Sequence, residues 1–167
     1  MRNCNKSILV LFLIFGTKPV FAQKAADTAK INFIKAQFSE INKNLKSYKK
    51  IEKEDIVEST DGNKVQLYFK GNKIKKIAVS YYGESGQVLN EFYFSDKKLI
   101  FCYFISYHYN MPYYEKGGGK VAATKEERLY LSDGKIFLIK KKHIGRDFVN
   151  EFPDDPQKEA KRLLNLK

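Results

Sequence analysis

Phe92-Tyr93-Phe94-Ser95-Asp96-Lys97-Lys98-Leu99 decides the fold, because the chain writes the same pattern three times. Leu67-Tyr68-Phe69-Lys70-Gly71-Asn72-Lys73-Ile74 and Leu129-Tyr130-Leu131-Ser132-Asp133-Gly134-Lys135-Ile136 match it position by position. The shared order is apolar, Tyr, apolar, three turn residues, Lys, aliphatic. Successive side chains of a strand point to opposite faces, so each central Tyr leaves on the side opposite its two apolar neighbours. Gly, Asn and Asp tolerate positive φ and mark tight turns. Each copy therefore reads as a hairpin. Lys97 is the irregular position, a Lys where the pattern expects Gly.

Working outward, the same alternation marks further strands. Val65, Leu67 and Phe69 take one face of their run, and Gln66 and Tyr68 take the other. Ile74 to Tyr82 is closed by Gly83-Glu84-Ser85-Gly86. Gln87 to Phe94, Lys98 to about Tyr107, Glu127 to Leu131, and Lys135 to Lys140 follow. Short strands joined by tight turns predict an antiparallel meander of about six or seven strands over residues 55–142. Upstream, Ile31, Ile34, Phe38, Ile41, Leu45 and Tyr48 recur at spacings of three and four. That period predicts a helix over 26–50 with one apolar stripe, and places Phe38 in the core against the sheet. Asp154 and Asp155 precede Pro156 and an apolar-periodic run, which predicts a capped helix over 155–165. The expected class is α+β: a long N-terminal helix packed on a curved antiparallel meander, with a short C-terminal helix.

The first 22 residues read as a signal peptide. Arg2 and Lys6 precede the unbroken apolar run Ile8–Phe15, and Val20-Phe21-Ala22 offers a small-residue cleavage site. The run is far shorter than the roughly 20 residues a spanning helix needs. Cys4 lies ahead of it, the wrong side for a lipid-bearing cysteine. Cleavage after Ala22 leaves one secreted or periplasmic domain, residues 23–167, with no transmembrane span. Arg2, Lys6 and Lys18 leave with the peptide, so 28 of the 31 basic residues remain against 19 acidic ones, a net charge of +9. Such a balance suits an anionic polymer or an acidic envelope protein, or simply a well-solvated surface. No specific nucleic-acid partner is expected for an exported chain. Cys102 remains without a partner for a disulfide, and its place between Phe101 and Tyr103 predicts a buried, inert thiol.

Tyr81-Tyr82-Gly83-Glu84-Ser85-Gly86-Gln87, with Glu91-Phe92-Tyr93-Phe94 and Lys98-Leu99, resembles a MORN-type variant repeat. Similar Tyr-rich hairpins occur in the YwqK antitoxin-like group and in secreted envelope proteins that join an N-terminal helix to a meander. The resemblance covers about residues 64–140. It implies interaction or scaffolding and no catalytic residue. Spacings of 25 and 37 residues between the copies are uneven for a regular array, which favours a closed, helix-backed sheet over an open solenoid.

Chemistry-bearing motifs are sparse. His108 and His143 have no Cys or His nearby at zinc-site spacing, and His108 reads as a hydrogen-bonded strand-end residue. Gly117-Gly118-Gly119-Lys120 lacks the spacing of a phosphate cradle and reads as a flexible loop. No catalytic residue, metal or cofactor is expected. The long connection over 110–125 carries the contact residues Met111, Tyr113 and Tyr114, close to Tyr107 and Tyr109. Tyr68, Tyr93, Tyr103, Tyr107 and Tyr130 are expected to share the sheet face away from the helix, as an open binding surface. The reading is a non-catalytic binding protein of the cell envelope. An inhibitor or immunity-like protein and an enzyme with a scattered site are the alternatives.

Overall fold

The computed structural model describes residues 20–55, 62–149 and 152–166. The leader run and most of the expected signal peptide lie outside them. The element order is α1 (Val20–Lys43), a 3-10 turn (Leu45–Ser47), β1 (Lys49–Lys53), β2 (Asn63–Lys70), β3 (Lys73–Gly83), β4 (Gly86–Ser95), β5 (Lys98–Tyr109), β6 (Val121–Ser132), β7 (Lys135–Ile144) and α2 (Pro156–Leu164). The strands form one seven-stranded sheet in sequence order, every neighbouring pair antiparallel. The fold is α+β. The sheet is open, contrary to the expected closure, because β1 and β7 are its two ends and do not pair.

The three matched segments share one geometry. Each makes a two-residue turn, at Gly71-Asn72, Asp96-Lys97 and Asp133-Gly134. In each, the register slips directly after the central Tyr, between Tyr68 and Phe69, Tyr93 and Phe94, and Tyr130 and Leu131. The extra residues lie on the return strands, at Lys75, Ile100 and Phe137, one unpaired position per hairpin. A bulge puts two consecutive residues on one face. Ile100 with Phe101, and Phe137 with Leu138, accordingly pack into the same apolar cluster.

Lys97 has φ 65° and Asp96 has φ 45°, the pattern of a type I′ turn. A left-handed conformation costs an L-residue about 1–2 kcal/mol, partly offset by the extra chain entropy that Gly loses on folding. Lys97→Gly is therefore expected to raise unfolding free energy by about 0.5–1 kcal/mol, read from urea denaturation. A fall in stability would assign the Lys97 side chain a contact of its own.

Both sheet faces carry a core. On one, Val65, Leu67, Ile77, Val79, Phe92, Phe94, Cys102, Phe104, Leu129 and Leu131 pack with Ala160 and Leu163 of α2. On the other, Tyr93, Ile100, Phe101 and Tyr130 pack with Ile34 and Ile41 of α1 and with Tyr48. This double cover is why Phe92-Tyr93-Phe94 and Ile100-Phe101-Cys102 are buried without a break, as in sheets sandwiched between helices. Cys102 is fully buried and burial pushes its thiol pKa up, as an inert thiol requires.

Three sequence expectations change. The N-terminal helix ends at Lys43 rather than residue 50. Asn44 donates to the Glu40 carbonyl from both its backbone N–H and its Nδ2, and Ser47 Oγ donates to the Asn44 carbonyl, so side chains take over the helix end. Tyr48 still reaches the α1-side core, but from an extended backbone. Next, Lys49-Lys50-Ile51-Glu52-Lys53 forms β1, an edge strand with a single apolar residue and hence little sequence signal. Lys140, Lys141 and Lys142 decorate the opposite edge, and lysine-rich edges discourage pairing with another chain. Much of the basic excess thus has a place in the fold. Lastly, Phe38 is not core. It meets the rings of Tyr93 (4.9 Å) and Phe101 (5.5 Å) but stays 36% exposed at the margin of α1.

Candidate functional site

The tyrosines expected on an open face divide into two groups. Tyr68, Tyr93, Tyr103 and Tyr130 lie on the face that α1 covers, not on the face away from it. Tyr93 is 1% and Tyr130 4% exposed, so neither offers a binding surface. The apolar stripe of α1 packs Ile34 and Ile41 against Tyr93, Phe101 and Tyr130 on that side. Tyr107 and Tyr109 are half-buried at the end of β5.

Met111, Tyr113 and Tyr114 are exposed on the β5–β6 connection. That connection spans 110–120, shorter than expected, because β6 already begins at Val121. Asn110 closes it: Nδ2 donates to the Gly117 carbonyl (3.1 Å) and Oδ1 accepts from Lys120 N–H (3.0 Å). A Cβ at Gly118 would sit 1.9 Å from the Pro112 carbonyl oxygen, so the glycine run serves close backbone approach. The loop leans on the β3–β4 turn. Tyr113 N–H donates to Glu84 O (3.0 Å) and Tyr109 N–H to Ser85 O (2.8 Å).

Beside that turn, on the α2 face, lies a cleft of about 580 Å³. Its floor is the far end of the strands that form the apolar core. On β4 the inward series Phe94, Phe92 continues as Asn90 and Val88; on β5, Cys102 and Phe104 continue as Ser106 and His108. Asn90 pairs with Phe104 and Val88 with Ser106 across the two strands. A polar residue thus interrupts the apolar alternation on each of two adjacent strands, at diagonally neighbouring positions. Asn90 is 2% and Ser106 5% exposed. Among the described residues, Asn90 Oδ1 alone is a buried side-chain oxygen or nitrogen without a hydrogen-bond partner. Buried polar atoms are overwhelmingly paired, so such an orphan marks a place with something to explain.

One wall is the segment after β7. Phe148 stacks on His108 with centroids 5.2 Å apart, and Arg146 Nη2 donates to His108 Nε2 at 2.6 Å. Lys125 holds this segment through Asp147 (2.6 Å) and lies 5.0 Å from the Phe148 ring centre. His108 is thus the hydrogen-bonded strand-end residue the sequence suggested.

The other wall is α2. Asp155 caps it, Oδ1 accepting from Gln157 N–H and Lys158 N–H at 3.0 Å, as its position before Pro156 foretold. Arg162, two turns in, reaches Asp55 through both terminal nitrogens (2.7 and 2.6 Å) and Glu159 through Nε (2.8 Å). The two carboxylates push the Arg162 pKa up. Burial, then the neighbouring Glu159 and Asp55, push the Tyr81 phenol up, so it stays protonated and can donate at the cleft edge.

Residues 90, 106 and 162 were not singled out from the sequence. The signal was present for the first two: a polar residue at an apolar-parity position in each of two successive strands. Nothing local pointed to Arg162, whose partner Asp55 is 107 residues away. Among the described residues no group of three or more His, Cys, Asp or Glu is placed to hold a metal ion. No described helix is long and apolar enough to cross a membrane. Comparison with protein-family models, with curated proteins and with solved structures returned no match.

Proposed function

We propose that this chain is a non-catalytic binding protein, exported to the cell envelope by its N-terminal segment, that takes its ligand in the Asn90 cleft. The observation that carries this reading is the buried Asn90 Oδ1 with no partner at the floor of a ligand-sized cavity. A fold gains nothing from an unpaired buried acceptor, whereas a bound donor removes the penalty. The exposed Met111, Tyr113 and Tyr114 extend the contact surface from the turn beside the cleft, in keeping with the interaction role that the MORN-type resemblance implies. The bulges supply the means for the sheet to curve around α2, which would deepen the cleft. The Arg162 pairings lock α2 over one side.

Asn90→Leu tests the reading. Leu is close in shape to Asn and leaves no orphan acceptor. Unfolding free energy is expected to rise by about 1–3 kcal/mol, measured by urea denaturation without ligand. Unchanged or lower stability would make Asn90 a structural residue and remove the basis for the site.

A further inference from the structure

Resting on that reading, we infer that the cleft takes a neutral saccharide, about one or two sugar rings in size, rather than the anion that the basic excess of the chain suggests. Three features select this class.

The first is charge. Inside and at the rim, the fixed charges cancel: Arg162 and Arg146 against Asp55 and Glu159. Arg162 is doubly occupied by carboxylates, and Arg146 is turned onto His108. An anion would meet no cation offered to it on this floor. An ammonium group would meet carboxylates already committed to Arg162. Among the described residues, no lysine lines the cleft.

The second is hydrogen bonding. The orphan Asn90 Oδ1 needs a donor, Ser106 can both give and take, and the Tyr81 phenol donates. A hydroxyl-bearing molecule matches that mixture, because each hydroxyl donates and accepts. An extended peptide fits less well. The floor is made by interior strands whose backbone groups are already paired on both sides, so a peptide cannot add as a strand there.

The third is flat apolar surface. Tyr81 lines the cleft on the α2 face, and Phe148 is stacked on His108 at its wall. Aromatic faces beside a few placed polar groups suit a ring that is apolar above and below and polar around its edge.

The test is titration of the exported protein, purified as the cell makes it and labelled with 15N. The probes are cellobiose and N,N′-diacetylchitobiose as neutral sugars, glucose 6-phosphate as the anion, and glycylglycine amide as the peptide. A neutral disaccharide is expected to shift the backbone amide resonances of Ser106 and its neighbours on the cleft floor with a Kd below about 1 mM. Raising salt from 50 to 500 mM should leave that Kd within twofold, and Asn90→Leu should weaken it at least tenfold. Tighter, salt-sensitive binding of glucose 6-phosphate would overturn the inference in favour of an anion site. Response to the peptide alone would overturn it while leaving the cleft as a binding site. Silence from every probe would also overturn it, and the stability of Asn90→Leu then decides separately whether the cleft is a site at all.

Discussion

Phe92→Ala is expected to lower unfolding free energy by about 3–5 kcal/mol, the largest loss for a single apolar side chain in this fold. Phe92 is fully buried in the middle of the sheet, edge-on to Phe104 with centroids 5.4 Å apart. Its strand, β4, pairs on both sides, so the backbone cannot collapse into the space the ring leaves. The packed α2 face adjoins it, with Leu163 fully buried there as well. Urea denaturation of Phe92→Ala and Phe38→Ala together makes the comparison. Phe38 keeps one side in water, and its loss should cost only about 1–2 kcal/mol. Equal losses at the two positions would mean that α1 seats Phe38 more deeply than its 36% exposure indicates.

Glu91→Ala is expected to cost about 3–5 kcal/mol through a different mechanism, by leaving a buried cation alone. Lys76 and Glu91 meet at 2.6 Å with side chains only 6% and 15% exposed. The pair continues into α1. Lys76 Nζ donates to Asn42 Oδ1 (3.1 Å), Asn42 Nδ2 donates to the Tyr93 hydroxyl (3.2 Å), and that hydroxyl donates to Glu91. Burial, then Glu91, push the Tyr93 phenol well up, so it serves the network as a protonated donor. This is the polar bolt between helix and sheet. Because the loss arises from the stranded ammonium, removing both charges should restore most of it. The double variant Lys76→Met with Glu91→Leu is expected within about 1 kcal/mol of the parent, since apolar replacement of a buried pair is often neutral. A double variant as unstable as Glu91→Ala would instead show that the pair itself holds α1 in place.

These two expectations fall on residues of very different visibility. Phe92 is announced by its strand, since an apolar residue flanked by turn-delimited alternation is core on either face. Lys76 and Glu91 look like ordinary wet strand residues. Their burial follows from α1 lying over them, which no local pattern states. The same holds for Tyr93 and Tyr130. Their parity was correctly read as opposite to Phe92 and Leu129, but which face the helix would choose was not written in the parity.

The cleft was half legible. Asn90 and Ser106 interrupt an apolar series in successive strands, a mark that can be read once the register β4 to β5 is known. Arg162 and Asp55 meet only because α2 returns across the sheet, and Phe148 reaches His108 only because the chain turns back after β7.

By itself the sequence determined the hairpins, the cap on α2 and the inert Cys102. Turn chemistry and capping act within a few residues, and their energetics depend on the local backbone alone. Tertiary structure decided the edge strand β1, the face α1 covers and the polar cleft under α2. Each of these depends on burial against a partner far along the chain. Burial is set by which surfaces meet, and a residue's own neighbours in sequence do not specify that.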